Sequence, residues 1–230
     1  MLLDNFPIIL WINLEKSENR RDYMEKLLVQ YKLKNIRINA IDGRNKKMLN
    51  SICIPNTKIS SLVNACTCSH LVALKYFIEK TDEKQVIIFE DDVSFEFLPM
   101  IPFNWQDLVQ TLPEDFEVIQ LAISSDSQTD IMPYLVKTSY DMRYYSSNAY
   151  LITRSGATKI LHKFWLDDKI NLRQFNASDI AADAIICNTN ATYSIPIFTY
   201  LATESIIHPN HIFMHKRSKL IQYKMWEKMR

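Results

Sequence analysis

The run Val86-Ile87-Ile88-Phe89-Glu90-Asp91-Asp92-Val93 constrains this chain more than any other stretch. Four apolar residues pass directly into three carboxylates. The apolar half is continuous rather than alternating, the mark of a strand covered on both faces. Successive strand residues point to opposite faces, so the three acids cannot all face one way from a continuing strand. The strand therefore ends about where the acids begin. Carboxylates crowded together repel and resist desolvation unless a cation or a set of donors meets them. In open α/β sheets, ligands lie just beyond the carboxyl ends of strands. A divalent metal at this strand end is one reading, and a solvated acidic turn is the other.

Glycine narrows the choice of ligand chemistry. Gly43 and Gly156 are the only glycines in 230 residues. A phosphate-binding P-loop and a dinucleotide fingerprint each need several, because backbone must approach phosphate closely. Neither can be built here. A bound nucleotide would have its phosphates held by a metal and by side chains rather than by a glycine nest.

The segments around the acidic strand predict alternating elements. Pro7–Leu14 reads as a first buried strand, followed by a polar turn and a helix with Ser17 in position to cap it. Tyr23, Leu27, Leu28 and Tyr31 give that helix an apolar stripe. Asn35–Gly43 alternates and then turns, completing a βαβ opening. Residues 44–64 read as an irregular loop, and Ala65–Lys80 as a helix with Ser69 and His70 in its early part. Further strands are expected at Phe116–Ile123, around Tyr144–Ile152 and at Thr192–Tyr200, the last interrupted by Pro196 and so an edge strand or a strand end. A helix is expected from Thr153 onward. Another begins near Ser178, with Asp179 and Asp183 four apart on one face. The pattern is α/β: a single domain over residues 1–207 with a mixed, mostly parallel central sheet flanked by helices, and a basic C-terminal tail or helix over 208–230.

Composition excludes several classes. The net charge of +1 gives no reason to expect a nucleic-acid partner. With 47% hydrophobic content, a chain this long buries about 70% of its unfolded surface. No stretch of 18 apolar residues occurs, and the N-terminus lacks a basic leader. The expectation is a soluble, cytoplasmic protein. The basic tail offers a second reading, a peripheral contact with an anionic membrane surface. Cys53, Cys66, Cys68 and Cys187 lack zinc-clip spacing and read as buried free thiols.

Five motifs occur in a recognisable order: Ile12-Asn13-Leu14 with Arg20-Arg21, Ala40-Ile41-Asp42-Gly43, Cys66-Thr67-Cys68-Ser69-His70, Phe89-Glu90-Asp91-Asp92-Val93, and Ala149-Tyr150-Leu151-Ile152-Thr153-Arg154-Ser155-Gly156-Ala157. Over about residues 8–207 the chain resembles the family 25 glycosyltransferases, a family that includes lipopolysaccharide sugar transferases and the collagen galactosyltransferase type. Ala65 stands where that family usually has glycine before its Cys-x-x-Ser-His run. The resemblance implies a GT-A-like fold, a nucleotide-sugar donor (a UDP-sugar first) and transfer of a hexose with inversion. It implies that Glu90, Asp91 and Asp92 form the acidic metal motif for Mn²⁺ or Mg²⁺, with Asp92 a direct ligand and Glu90 beside it. Asp91 or Glu90 would contact the metal shell or the ribose. His208 or His211 would complete the shell. Asn13, Arg20, Asp42, Ser69 and His70 fall in the matching motifs and are the further candidates for holding the donor. The acceptor would be a glycan, a lipid-linked saccharide or a protein hydroxyl.

The chemistry asks for the same residue types. A leaving nucleoside diphosphate gains negative charge that a hard cation offsets. Inversion in one displacement needs a carboxylate to take the acceptor's proton. Asp179 is the first candidate for that base and Asp183 the second. Two other readings use the same acids: a Mg²⁺-dependent phosphohydrolase, and a nucleotide-sugar-binding module of the same fold without turnover.

Overall fold

The computed structural model describes residues 3–125, 131–138, 144–186, 189, 191–201 and 212–229. The chain opens with strand β1 (Ile9–Asn13), helix α1 (Glu18–Gln30) and strand β2 (Asn35–Asn39). Residues 44–64, expected to be irregular, hold helix α2 (Lys46–Ile52) and strand β3 (Cys53–Ile54). The Asn45 side chain accepts from the Met48 amide and starts α2, a cap with no apolar periodicity to announce it. Helix α3 (Ser61–Lys80) begins four residues earlier than its apolar face suggested, because Ser60 caps it. Strand β4 (Gln85–Glu90) carries the acids at its end, followed by β5 (Val93–Ser94), α4 (Trp105–Thr111), β6 (Val118–Ala122), β7 (Val136–Lys137) and β8 (Ala149–Thr153). Helix α5 (Arg154–Phe164), strands β9 (Trp165–Leu166) and β10 (Lys169–Asn171), helix α6 (Ala182–Ile186), strand β11 (Thr192–Tyr200) and helix α7 (Ile212–Glu227) complete the order.

Among the described residues, eight strands form one sheet in the order β2-β1-β4-β8-β6-β11-β5, with β7 also pairing β11. β1 lies parallel to β2 and β4, and β6 parallel to β11. β8 runs against both β4 and β6, so those two flank it in a common direction. Five of the eight strands thus run one way, and their carboxyl ends share one edge. The sheet is mixed and flanked by helices, the α/β class expected.

Alternation along the strands divides the core in two. Ile9, Trp11, Ile87 and Phe89 pack on one face with Met24 and Leu28 of α1, Trp105 of α4 and Trp226 of α7. Leu10, Ile12, Val86 and Ile88 pack on the other with α3, α5 and α6. Phe89 meets Phe95 and Phe198 edge to face, and Phe95 and Phe198 lie tilted together, with ring centroids 4.7–5.7 Å apart. That cluster pins the turn that leaves β4.

The fifth motif is structural in large part. Thr153 caps α5 through the Gly156 amide. The Arg154 guanidinium donates to the carbonyls of Ile78 (3.0 Å) and Thr81 (2.6 Å), closing the C-terminus of α3. A Cβ at Gly156 would meet the Glu117 carbonyl oxygen at 2.9 Å, so only glycine lets α5 approach β6 this closely.

Helix α7 packs on the sheet through Ser218, Gln222 and Trp226, all fully buried. Leu220, Tyr223 and Trp226 recur at three-residue spacing, but only Trp226 faces the sheet; Leu220 and Tyr223 are about half exposed. The reason is hydrogen bonding: Gln222 Nε2 donates to the Ile123 carbonyl (2.7 Å) and Trp226 Nε1 to the Pro196 carbonyl (2.9 Å). The Ile123 carbonyl lies just past the end of β6 and the Pro196 carbonyl within β11, and buried carbonyls need donors. Among the described residues, no helix is long and apolar enough to cross a membrane. Trp226→Ala should cost about 3–5 kcal/mol through the cavity it leaves. Chemical denaturation followed by far-UV circular dichroism measures that loss.

Candidate functional site

The site lies where β1, β2 and β4 end. Ile12 pairs in register with Glu90, so the loops after all three strands converge. The Ala40–Arg44 loop and the first half of α3 form one wall of a pocket, and Arg20 of α1 with the acids of β4 forms the other. Gly43 makes this possible: a Cβ there would meet the Ser61 backbone oxygen at 2.6 Å. Ser69 ties the same wall together, donating to the Ala65 carbonyl (2.7 Å) and accepting from the Ile41 amide (2.9 Å).

The three acids have different partners. Asp91 is 9% exposed and is held by Asn13 Nδ2 (2.7 Å) and Arg20 Nη1 (2.8 Å). Asp92 accepts from Asn148 Nδ2 (2.5 Å) and, more weakly, from Arg20 Nη1 (3.2 Å). Glu90 accepts from the Ser147 hydroxyl (2.7 Å) and stands 3.4 Å from His70 Nε2. Ser147 and Asn148 reach the acids through a strained turn. Ser146 takes φ of 106°, in the left-handed half of the map that favours glycine. Gln120 Nε2 holds its carbonyl at 2.7 Å.

The electrostatic consequence is an excess of negative charge. Burial raises the Asp92 carboxyl, Glu90 and Asp91 raise it further, and Arg20 only partly opposes them, leaving it at about 7. Burial also raises Glu90, but His70, the Ser147 hydroxyl and Arg20 outweigh it and hold Glu90 below its ordinary value. Burial works against the Arg20 charge, yet Asp92 and Asp91 more than compensate and raise its pKa. The Cys66 thiol and the Tyr150 hydroxyl are pushed well up, first by burial and then by the Glu90 charge. One guanidinium does not neutralise three carboxylates. The donor set of hard oxygens and the raised Asp92 both fit a divalent cation.

Of the residues expected from sequence, Arg20, Asp42, Ser69, His70, Glu90, Asp91 and Asp92 line this one pocket. Asn13 sits behind Asp91 as its buried support. Asp42 pairs with Lys16 at the rim, and the Lys16 hydrogen bond lowers its pKa first of all. Asp179 and Asp183 are not on one helix. Asp179 closes a 3₁₀ turn (Ala177–Asp179) and takes hydrogen bonds from Asn176 and Ser178. Asp183 opens α6, and its carboxyl is raised by burial, partly offset by the Ser146 and Ala184 amides, with Glu90 adding to the rise. Neither lines the pocket itself. His208 and His211 lie outside the described residues. Cys66, Ser147, Asn148 and Tyr150 have no site role in the reading of the sequence, although Cys66 and Tyr150 stand in its motifs. The four-residue spacing of Cys66 and His70 on one helix face was the available signal for the first. Tyr150 stands in the fifth motif, and nothing local marked Ser147 or Asn148.

An α/β sheet with an acid cluster at its carboxyl edge, open to a side-chain-lined pocket, defines a ligand-handling protein of the kind the resemblance implied. The chain belongs to glycosyltransferase family 25 (LPS biosynthesis protein), whose family model matches residues 6–171. It is a glycosyltransferase. The match stops before Asp179 and Asp183, short of the residue 207 expected from the motifs. No curated protein matches the chain by sequence. Among solved structures it is similar to A197 from STIV (12% identity, TM-score 0.48, covering 84% of this chain and 82% of that one). It is also similar to the inositol-1-phosphate CTP transferase from T. maritima (13%, 0.40, 93% and 77%). A third is a glycosyltransferase involved in the glycosylation of the major capsid of PBCV-1 (5%, 0.40, 94% and 98%). Likenesses this loose carry no argument about function.

The raised Asp92 has a measurable consequence. Its folded value of about 7 lies above its ordinary 3.8. The stability it contributes is therefore complete below about pH 4 and lost as pH rises through about 7. In cation-free buffer, Asp92→Asn should gain stability relative to the wild type as pH climbs from about 5 to about 8. Thermal melts of both proteins across that range check it; parallel curves would remove Asp92 as the cause.

Proposed function

We propose that this glycosyltransferase moves a hexose from a nucleotide sugar, a UDP-sugar first, to a hydroxyl of a glycan, a lipid-linked saccharide or a protein. Transfer inverts the anomeric centre and depends on Mn²⁺ or Mg²⁺. The observation that carries the reading is the crowding of Glu90, Asp91 and Asp92 against a single guanidinium, beside a pocket and in a chain of this family.

Asp92 and Glu90 would hold the cation, which when bound offsets the charge growing on the departing diphosphate. Asp91 acts at one remove: it fixes Arg20 at the pocket wall, where the guanidinium can meet a phosphate oxygen. Asn13 keeps Asp91 in place. The Ile41–Arg44 loop, with Asp42 at its rim, offers a wall for the nucleoside.

In the transfer step the acceptor oxygen bonds to the anomeric carbon while the bond from that carbon to the phosphate oxygen breaks. The nucleoside diphosphate leaves, and the acceptor's proton goes to a carboxylate. Asp183 suits that role better than Asp179. It is close enough to Glu90 to feel its charge, and its raised pKa brings it nearer the working range of a base. Asp179 is engaged within its own turn.

A melt with UDP and Mn²⁺ tests the donor half. At about a hundredfold excess over Kd, ligand binding should stabilise the protein by about 2.7 kcal/mol. UDP without the ion should give much less, and Asp92→Asn should lose the Mn²⁺-dependent part. No cation-dependent shift with any nucleoside diphosphate would sink the proposal. For the second half, Asp183→Asn should lower kcat by roughly 10²–10⁴ with donor binding retained, read as nucleotide release from a panel of sugar donors.

A further inference from the structure

One buried ring nitrogen at the pocket floor has no hydrogen-bond partner among the described residues. His70 is 1% exposed, yet its Nε2 makes no hydrogen bond. Its Nδ1 lies 3.1 Å from the Tyr150 hydroxyl. Nε2 faces Glu90 Oε1 at 3.4 Å without the alignment of a hydrogen bond. Cys66 sits one turn before His70 on the same face of α3. One ligand atom from each of Cys66, His70 and Glu90 all lie within 4.8 Å of one another.

We propose that Cys66, His70 and Glu90 form a second cation site in the pocket floor, suited to a borderline transition metal such as Zn²⁺. It is distinct in chemistry from the hard-oxygen position at Asp92. A sulfur–nitrogen–oxygen set disfavours Mg²⁺ and favours Zn²⁺ and its neighbours. With the proton on Nδ1, Tyr150 accepts it and Nε2 presents its lone pair toward Glu90 and Cys66. The other ring nitrogen of a metal-ligating histidine ordinarily donates to an oxygen acceptor, the role the Tyr150 hydroxyl takes here. The Ser147 hydroxyl orients the Glu90 carboxylate in the same manner. Bond lengths of about 2.0–2.3 Å place ligand atoms of a tetrahedral ion about 3.3–3.7 Å apart, so the three atoms need to close by only about an ångström. Three protein ligands leave the fourth position open to the pocket. Glu90 is shared with the proposed donor site, but the inference needs only these three side chains and does not rest on sugar transfer.

The test is a Co²⁺ titration of the full chain after removal of metal with a chelator. One equivalent should produce a near-ultraviolet thiolate-to-cobalt charge-transfer band with intense visible bands of tetrahedral type. Zn²⁺ should abolish both, and excess Mg²⁺ should not. Cys66→Ser should lose the charge-transfer band. Tyr150→Phe, which removes only the hydroxyl on Nδ1, should weaken Co²⁺ binding about 10–100-fold. That variant keeps the proposal testable should Cys66→Ser fail to fold. No charge-transfer band in the folded wild type would overturn the proposal and leave His70 and Glu90 as a plain ion pair. A band that persists in Cys66→Ser would overturn it by assigning the ion to another cysteine. No readout here involves turnover, so failure of this site and failure of the transferase reading remain separable.

Discussion

Three carboxylates meet at the end of one buried strand, and among the described residues only the Arg20 guanidinium and the His70 imidazole face them. Much of the local structure follows from that imbalance. Asp91 takes the best donors, Asn13 and Arg20, and becomes a fixed support. Asp92 is left with an amide and the longer bond from the same Arg20 Nη1. Glu90 has one hydroxyl and an imidazole that is near but unaligned. Desolvation that would be tolerable for one acid becomes a strong pull on a cation for three. A protein selected only for stability would gain by replacing one of them, so the cluster is better explained by what it binds.

The sheet is arranged to deliver these partners. β8 enters between β4 and β6 against their direction. Its amino end, rather than its carboxyl end, therefore meets the acids, and the Ser146 turn carries Ser147 and Asn148 into contact. Three aromatic rings beneath β4 keep the acid-bearing turn from moving. On the opposite wall, Ser69 and the close approach at Gly43 lock the loop after β2 onto α3. Side chains form the pocket on both walls, as a chain with two glycines requires.

What could be read in advance follows from the kind of physics each feature uses. β1 and β4 were legible because burial on both faces needs an uninterrupted apolar run. The acid cluster was legible because it stands at the end of such a run. The direction of β8 was not, since apolar pattern carries no information about strand polarity. Helix α2 was hidden because its short length and polar surface leave its cap as the main signal. The buried face of α7 is not legible from apolar pattern, because Ser218 and Gln222 are buried for their hydrogen bonds to the segment after β6: Ser218 Oγ accepts from the Ser125 amide and Gln222 donates to the Ile123 carbonyl. Asp179 and Asp183 had the right spacing for one helix face, but the chain divides between them into a 3₁₀ turn and a separate short helix.

The most direct test of the central claim is anomalous diffraction from crystals grown with Mn²⁺ and a nucleoside diphosphate. The account predicts a manganese peak within bonding distance of Asp92 and Glu90, with Asp91 still on Asn13 and Arg20. Asp92 still bonded to Asn148 and Arg20, with the ion bound elsewhere or absent while the nucleotide fills the pocket, would contradict it.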